Sequence, residues 1–289
     1  MKLDLGSAWD DCVAMLRANF GLVAIMAGVF VAVPNSFFML RFLRFATIFE
    51  DPRLAQKPEM VSSAFATFGA ENWWLIALTM LGQTLGTLAI IILLSDRERP
   101  TTGGAIAEAA KLTLPAIAGM LLASFAMALG GMFPLIIGAL SGSFVIVFLL
   151  GLIGFALACY LFAKFALIQA VFGIEKTMNP IYALTRSWKL VKGNTLLLFF
   201  FYFLLWVAFV IVNQVIALFV GLVFALFSAE AAIFGNALTS AAIGAAYAAI
   251  VAATMALLPG VVRPDEAHVT SAVPPADHTP PFPTQLQSA

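Results

Sequence analysis

Residues Asn179 to Asn194 read NPIYALTRSWKLVKGN, an amphipathic basic segment set directly before a long apolar run. Asn179 suits a helix N-cap, Pro180 the first turn, and Gly193 the C-terminal stop. Between these ends Ile181, Leu184, Trp188 and Val191 recur at helical spacing on one face, and Arg186, Lys189 and Lys192 fall on another. A helix lying on a membrane surface needs that division, with apolar groups in the acyl boundary and cations among anionic headgroups.

Of the 289 residues, 62% are hydrophobic and 10% charged, the make-up of an integral membrane protein and not of a soluble domain. The 15 cations balance the 15 anions, so no global field favours nucleic acid. Cys12 and Cys159 lie far apart in the chain; they read as small packing residues, with no disulfide framework and no cysteine metal site.

Working outward, six apolar runs are long enough to cross a bilayer, which takes roughly 20 residues each. They are Phe20 to Leu40, Trp73 to Leu94, Thr113 to Leu140, Phe144 to Ala163, Thr195 to Phe227 and Ala231 to Leu258. The expected fold is all-α: a polytopic membrane helical bundle of six transmembrane helices, with interfacial amphipathic helices before helices 1, 3 and 5. Residues 1–260 form this domain, and 261–289, rich in proline, form a disordered cytoplasmic tail. Arg41 to Asn72 reads as an extramembrane loop with a short surface helix at most. Run five exceeds a straight crossing, which implies tilt, a kink or an extension beyond the hydrocarbon. Run six is dense in small residues, with Ala241, Ala245 and Ala249 one turn apart, and is expected at the centre of the bundle.

Six spans put both termini on one side. Eleven of the fifteen cations then fall on that side and four, Arg41, Arg44, Arg53 and Lys57, on the other, which selects the cytoplasm for the termini.

A weak threefold pattern underlies the runs. Laying Ala8 over Ala183 puts Trp9 on Leu184, Val13 on Trp188, Leu16 on Val191, Arg17 on Lys192 and Asn19 on Asn194. A third copy places Ala105, Ile106, Glu108 and Ala110 on Ala8, Trp9, Asp11 and Val13. The implied unit is a surface helix followed by a membrane hairpin. Asn19 and Asn194 stand at the elbows, where an Asx side chain can satisfy free N–H groups.

Chemistry-bearing clusters are sparse. His268 and His278 sit in the tail without a framework, no phosphate loop or nucleophile elbow occurs, and no metal, cofactor or catalytic residue is expected. The basic stretch supplies the candidate lipid- or partner-binding residues Arg186, Trp188, Lys189 and Lys192, with Glu175 as a pairing carboxylate and Lys164 snorkelling to the headgroups from the end of run four. Gln83, Asn213, Gln214 and Asn236, with Asn35, are amides inside the runs. They read first as interhelical hydrogen-bonding groups and, in the alternative of a small transporter, as a midplane polar site. Gly82 and Gly86 make a GxxxG match that reads as packing.

The segment IYALTRSWKLVKGN, preceded by LIQAVFGIEKTM, resembles a bacterial family of six-helix inner-membrane proteins: the YciC-like proteins and the membrane domain fused to some glycerophosphoryl diester phosphodiesterases. Glu175, Ala183, Leu184, Arg186, Ser187, Trp188, Gly193 and Asn194 carry the resemblance. It implies a polytopic inner-membrane fold in a lipid-related setting, with no catalytic residues to carry over. The expectation is a non-enzymatic membrane-envelope scaffold or a protein binding anionic phospholipid or a protein partner.

Overall fold

The computed structural model describes residues 5–50, 58–95 and 101–262, and the expected disordered tail lies outside them but for residues 261 and 262, which are helical. In chain order the helices are α1 (Leu5–Ala18), α2 (Phe20–Ala27), α3 (Val33–Ala46), α4 (Pro58–Ser95), α5 (Thr102–Leu140), α6 (Phe144–Phe165), α7 (Ile168–Glu175), α8 (Pro180–Val191), α9 (Thr195–Ala225) and α10 (Ala229–Val262). A π turn at Gly28–Ala32 joins α2 to α3, and a 3-10 turn at Thr47–Glu50 follows α3. Among the described residues the only regular structure is helical, with no strand, and six helices are long and apolar enough to cross a membrane. In hydrocarbon a helix meets its own backbone hydrogen bonds, which is why apolar runs of this length take that form.

In the most apolar 18-residue stretch of each span, half of the residues are buried in α4 and 39% in α10, against 6% in α5 and in the α6–α7 span. The core therefore forms around α4, whose Leu88, Ala89, Ile90, Ile91 and Ile92 are all enclosed, with Met26, Leu112 and Phe172 against them. Run six is central as expected, Ala241, Ala245 and Ala249 being buried, although α4 is more enclosed still.

The π turn stands just before Pro34, which cannot donate to the Phe30 carbonyl four residues back. Gly82 packs against that carbonyl and Gly86 against the Phe30 side chain, so the GxxxG pair is a packing surface. The α5–α6 hairpin uses the same device. Gly131 and Gly154 face each other so closely that a Cβ on Gly154 would collide with the Gly131 carbonyl oxygen, and the turn is made by Ser141, Gly142 (φ +65°) and Ser143.

Two expectations change in the first half. The first span runs to Ala46 and does not stop at Leu40, because Phe38, Phe42, Phe45 and Phe49 form a helical stripe that packs on Phe65 and Phe68 of α4, with Phe45 and Phe68 ring centroids 4.5 Å apart. Beyond it Arg44 pairs with Glu230 of α10 at 2.7 Å. The helix expected before span three is not separate: α5 is continuous from Thr102, and Ala105, Ala109, Leu112 and Ala116 make one buried stripe across the point where an elbow was expected.

The other two copies keep their elbows. Asn19 (φ −117°, ψ 17°) and Asn194 (φ −122°, ψ 18°) share one backbone conformation, and Cys12 and Ser187, equivalent in the alignment, are both fully buried. A third elbow of the same geometry occurs at Asn72 (φ −114°, ψ 16°) inside α4. The asparagines do not cap the helices that follow. The Asn19 amide donates to the Met15 carbonyl at 3.0 Å and that of Asn72 to the Phe68 carbonyl at 2.9 Å, satisfying acceptors of the preceding turn. At Asn194 the turn is made by Gly193 (φ +96°) and no side-chain cap forms. The uninterrupted third stretch has Ala116 where the other two have asparagine.

Cys12 and Cys159 are both free thiols on different helices. Run five is one unbroken helix of 31 residues, about 46 Å long. With a hydrocarbon core of about 30 Å, it tilts or projects, and no kink is needed.

Glycine substitutions in α6 should have opposite signs. Gly154→Ala strikes backbone and should destabilise by about 2 kcal/mol or more. Gly151→Ala meets only the tip of Leu135 at 3.5 Å and should be neutral or stabilise by up to about 1 kcal/mol, as the helical propensities of alanine and glycine dictate. Thermal unfolding of the detergent-solubilised chain measures both, and equal effects would contradict the close approach.

Candidate functional site

The basic stretch folds as α8. Asn179 Oδ1 accepts from the Ile181 and Tyr182 amides at 3.0 and 3.2 Å, Pro180 begins the helix, and Gly193 lies in the left-handed region past its end. The expected cap and stop are thus present.

Most of the apolar stripe stays outward, as a helix facing the acyl boundary requires, and the helix docks on protein through other residues. Ala183, Ser187, Leu190 and Val191 are buried, whereas Ile181 is 66% exposed and Trp188 is partly open, so of the predicted apolar stripe only Val191 is fully enclosed. Ala183 and Ser187 are small enough to bring α8 against the end of α6. There the Ser187 hydroxyl, itself buried, donates to the Lys164 carbonyl at 2.8 Å. The helix consequently has three sectors. One is packed on protein, one is apolar and outward (Ile181, Leu184, Trp188), and one is polar (Tyr182, Arg186, Lys189). Lys192 leaves the helix as its extended C-cap, exposed, and does not continue the cationic face.

Lys164 does not snorkel. It is only 4% exposed, and its Nζ lies 5.4 Å from the Tyr160 ring centroid and 5.2 Å from that of Trp188. Two ring faces, set at 83° to one another, take the place of water around the ammonium. The reason is the Ser187 bond: by seating α8 on the Lys164 backbone it lowers Trp188 over the Lys164 side chain. Glu175, at the end of α7, receives Arg186 Nε on one carboxylate oxygen at 2.7 Å and the Tyr182 hydroxyl on the other at 2.9 Å. The structural pairing expected of Glu175 is formed, and it ties α7 to the polar sector of α8.

Two hollows flank this corner. A groove of about 560 Å³ runs between the apolar sector of α8 and α5, lined by Leu122, Ala126, Phe165, Ile181, Leu184 and Trp188, with Lys189 at its edge. A chamber of about 790 Å³ lies between α5, α6 and α7 on one side and α9 and α10 on the other. Its wall is largely aromatic and aliphatic, including Phe155, Phe162, Trp206 and Met255, and it includes Phe165 as well. Two of its polar groups are poorly provided for. Gln169 Nε2 donates to the Met120 sulfur at 2.9 Å, a weak acceptor. The Tyr202 hydroxyl, in a residue 5% exposed, has no partner within hydrogen-bonding geometry; Thr254 beside it gives its own hydroxyl to the Val251 carbonyl. The signal that marks the intramembrane amides, a polar group within an apolar run, reaches Tyr202 in run five but not Gln169, which lies past the end of run four.

Those amides do not converge. Gln83 and Gln214 are exposed on the outer surfaces of α4 and α9. Asn213 and Asn236 turn inward with unpartnered side-chain oxygens, but Asn236 packs on Gly221, about two turns along α9 from Asn213. None of the four lines the chamber. Among the described residues no three His, Cys, Asp or Glu side chains gather to hold a metal ion. No family model, curated protein or solved structure matches the chain.

The cation–π enclosure is testable by a double-mutant cycle. Lys164→Met and Trp188→Leu should couple by about 1 to 2 kcal/mol in thermal unfolding, because Trp188→Leu alone strands the ammonium. Additive effects would show that the rings do not hold it.

Proposed function

We propose that this chain is a non-enzymatic multi-pass protein of a bacterial inner membrane that binds anionic phospholipid at its cytoplasmic face. The observation that carries the proposal is the division of α8 into three sectors. A helix held on protein by Ala183, Ser187 and Leu190 has only two faces left, and here one is apolar and the other carries Arg186 and Lys189 beside the exposed Lys192. That arrangement suits a helix lying in the interface, its apolar sector toward acyl chains and its cations among phosphates. Helix α1 supports the same reading, with Trp9, Val13, Leu16, Arg17 and Phe20 lining an equivalent hollow before the first span.

The cation count favours both termini in the cytoplasm, and the pairing of Arg44 with Glu230 reduces the weight of the first-loop cations that oppose it. The resemblance to the YciC-like and phosphodiesterase-fused membrane domains is part of the proposal, since Arg186, Ser187 and Trp188, which carry it, are the residues that build this corner. A midplane transport site receives less support, as its four amides point in different directions.

Replacing Lys189 and Lys192 by Gln leaves the Arg186–Glu175 pair intact and removes two cations worth about 1 kcal/mol each near an anionic surface. Native mass spectrometry of the full chain with phosphatidylglycerol and phosphatidylcholine should show the preference for the anionic lipid falling about ten- to thirtyfold. An unchanged preference would sink the lipid-surface reading.

A further inference from the structure

We infer that the chamber and the groove together hold one diacyl phospholipid, with one acyl chain in each and the Phe165 ring between them. The inference rests on the lipid-binding reading above and deepens it, naming which part of the lipid goes where.

Depth is the first argument. The chamber is lined along α9 from Phe199 to Trp206, that is from four to eleven residues below the Thr195 start of the helix, or about 6 to 17 Å at 1.5 Å per residue. One leaflet of a hydrocarbon core about 30 Å thick has that depth. Its volume of about 790 Å³ falls in the range of ligand sites, about 300 to 1,000 Å³, and its wall is apolar enough that a hydrocarbon chain is the natural filling.

The polar groups give the second argument. Gln169, on the chamber wall, has only a thioether for its side-chain amide, whereas the Tyr202 hydroxyl is enclosed beside Thr254, which does not line the chamber. A poorly met amide in such surroundings is costly, and an ester carbonyl at the head of an acyl chain is a better acceptor for it. A wholly apolar occupant would leave it as it is.

Continuity with the basic corner selects a phospholipid over a free fatty acid. Phe165 is the residue common to the two hollows, and the groove on its other side carries Lys189 at its edge and the exposed apolar sector of α8 along its length. A glycerol backbone at Phe165 would send one chain into the chamber and one into the groove, with its phosphate toward the cations of α8. A free fatty acid fills one hollow and leaves the other.

The test is photo-crosslinking of the wild-type full chain in nanodiscs, using phosphatidylglycerol with a diazirine midway along one acyl chain, and mapping the adducts by mass spectrometry. Adducts should concentrate at Phe155, Cys159, Trp206 and Tyr247 about tenfold over the outward-facing Phe148 and Leu222, and excess oleic acid should not displace them. Gln169→Leu should lower the chamber adducts about threefold while leaving the anionic preference in native mass spectrometry intact. Even labelling of all exposed spans overturns the inference, and displacement by equimolar oleic acid overturns it in favour of a fatty-acid site. Absence of chamber labelling in the wild type, with the anionic preference present, would refute this inference alone. Chamber labelling with no anionic preference would refute only the reading beneath it.

Discussion

The hydrogen bond from Ser187 to the Lys164 carbonyl joins the surface helix α8 to the end of span α6, and the basic corner is built on that joint. It is short, buried and between groups that have no water to fall back on, so its loss leaves an acceptor unmet at a cost of about 1 to 3 kcal/mol. With α8 seated there, Trp188 closes over the Lys164 ammonium and Arg186 comes within reach of Glu175. The orientation of α8 also decides which apolar residues remain outward. A helix rotated to bury Ile181, Leu184 and Trp188 would hide its apolar face, uncover Lys164 and close the groove beneath it.

The stretch of α1 that aligns with α8 buries a residue at the same position. Cys12 takes the place of Ser187, equally buried, and burial pushes its thiol pKa up to about 11, which suits a neutral packing group. The elbows that follow, at Asn19 and Asn194, have the same dihedral angles. In the middle stretch the buried stripe Ala105, Ala109, Leu112 continues without an asparagine, and α5 is uninterrupted. The helix is thus interrupted in two of the three aligned stretches and continuous in the third. The α5–α6 hairpin is left at the periphery, held by close glycine contacts, with the chamber between it and α9.

Much of this was legible in the sequence. The six spans follow from run length, the start of α8 from Asn179 and Pro180, its stop from Gly193, and the α5–α6 turn from Ser141 to Ser143, because each depends on local chemistry. What was not legible depends on which face meets a neighbour. The stripe of Ile181, Leu184 and Trp188 was legible as the lipid-facing side of α8, but nothing in the pattern marks Ala183 and Ser187, small enough for close approach to a helix end, as the docked side. In a membrane, apolar residues have lipid as an alternative partner, so the largest of them need not face protein. Lys164 misled for a related reason: a lysine at a span end ordinarily reaches the headgroups, and only tertiary placement of Trp188 provides another partner. The Phe38 to Phe49 stripe was masked by the charges around it. Tyr202 and Gln169 gain meaning only when α7 and α9 are brought to one chamber.

The central claim is that α8 lies in the interface with Ile181 toward the hydrocarbon and Lys189 toward water. Nitroxide labels placed singly at Ile181 and Lys189 of the full chain in anionic nanodiscs measure this directly through their collision rates with oxygen and with a water-soluble nickel chelate. The account predicts that oxygen dominates at Ile181 and the nickel chelate at Lys189, a contrast that an interfacial helix produces within two turns. Equal and high nickel accessibility at both positions would mean that α8 stands clear of the membrane, and would contradict it.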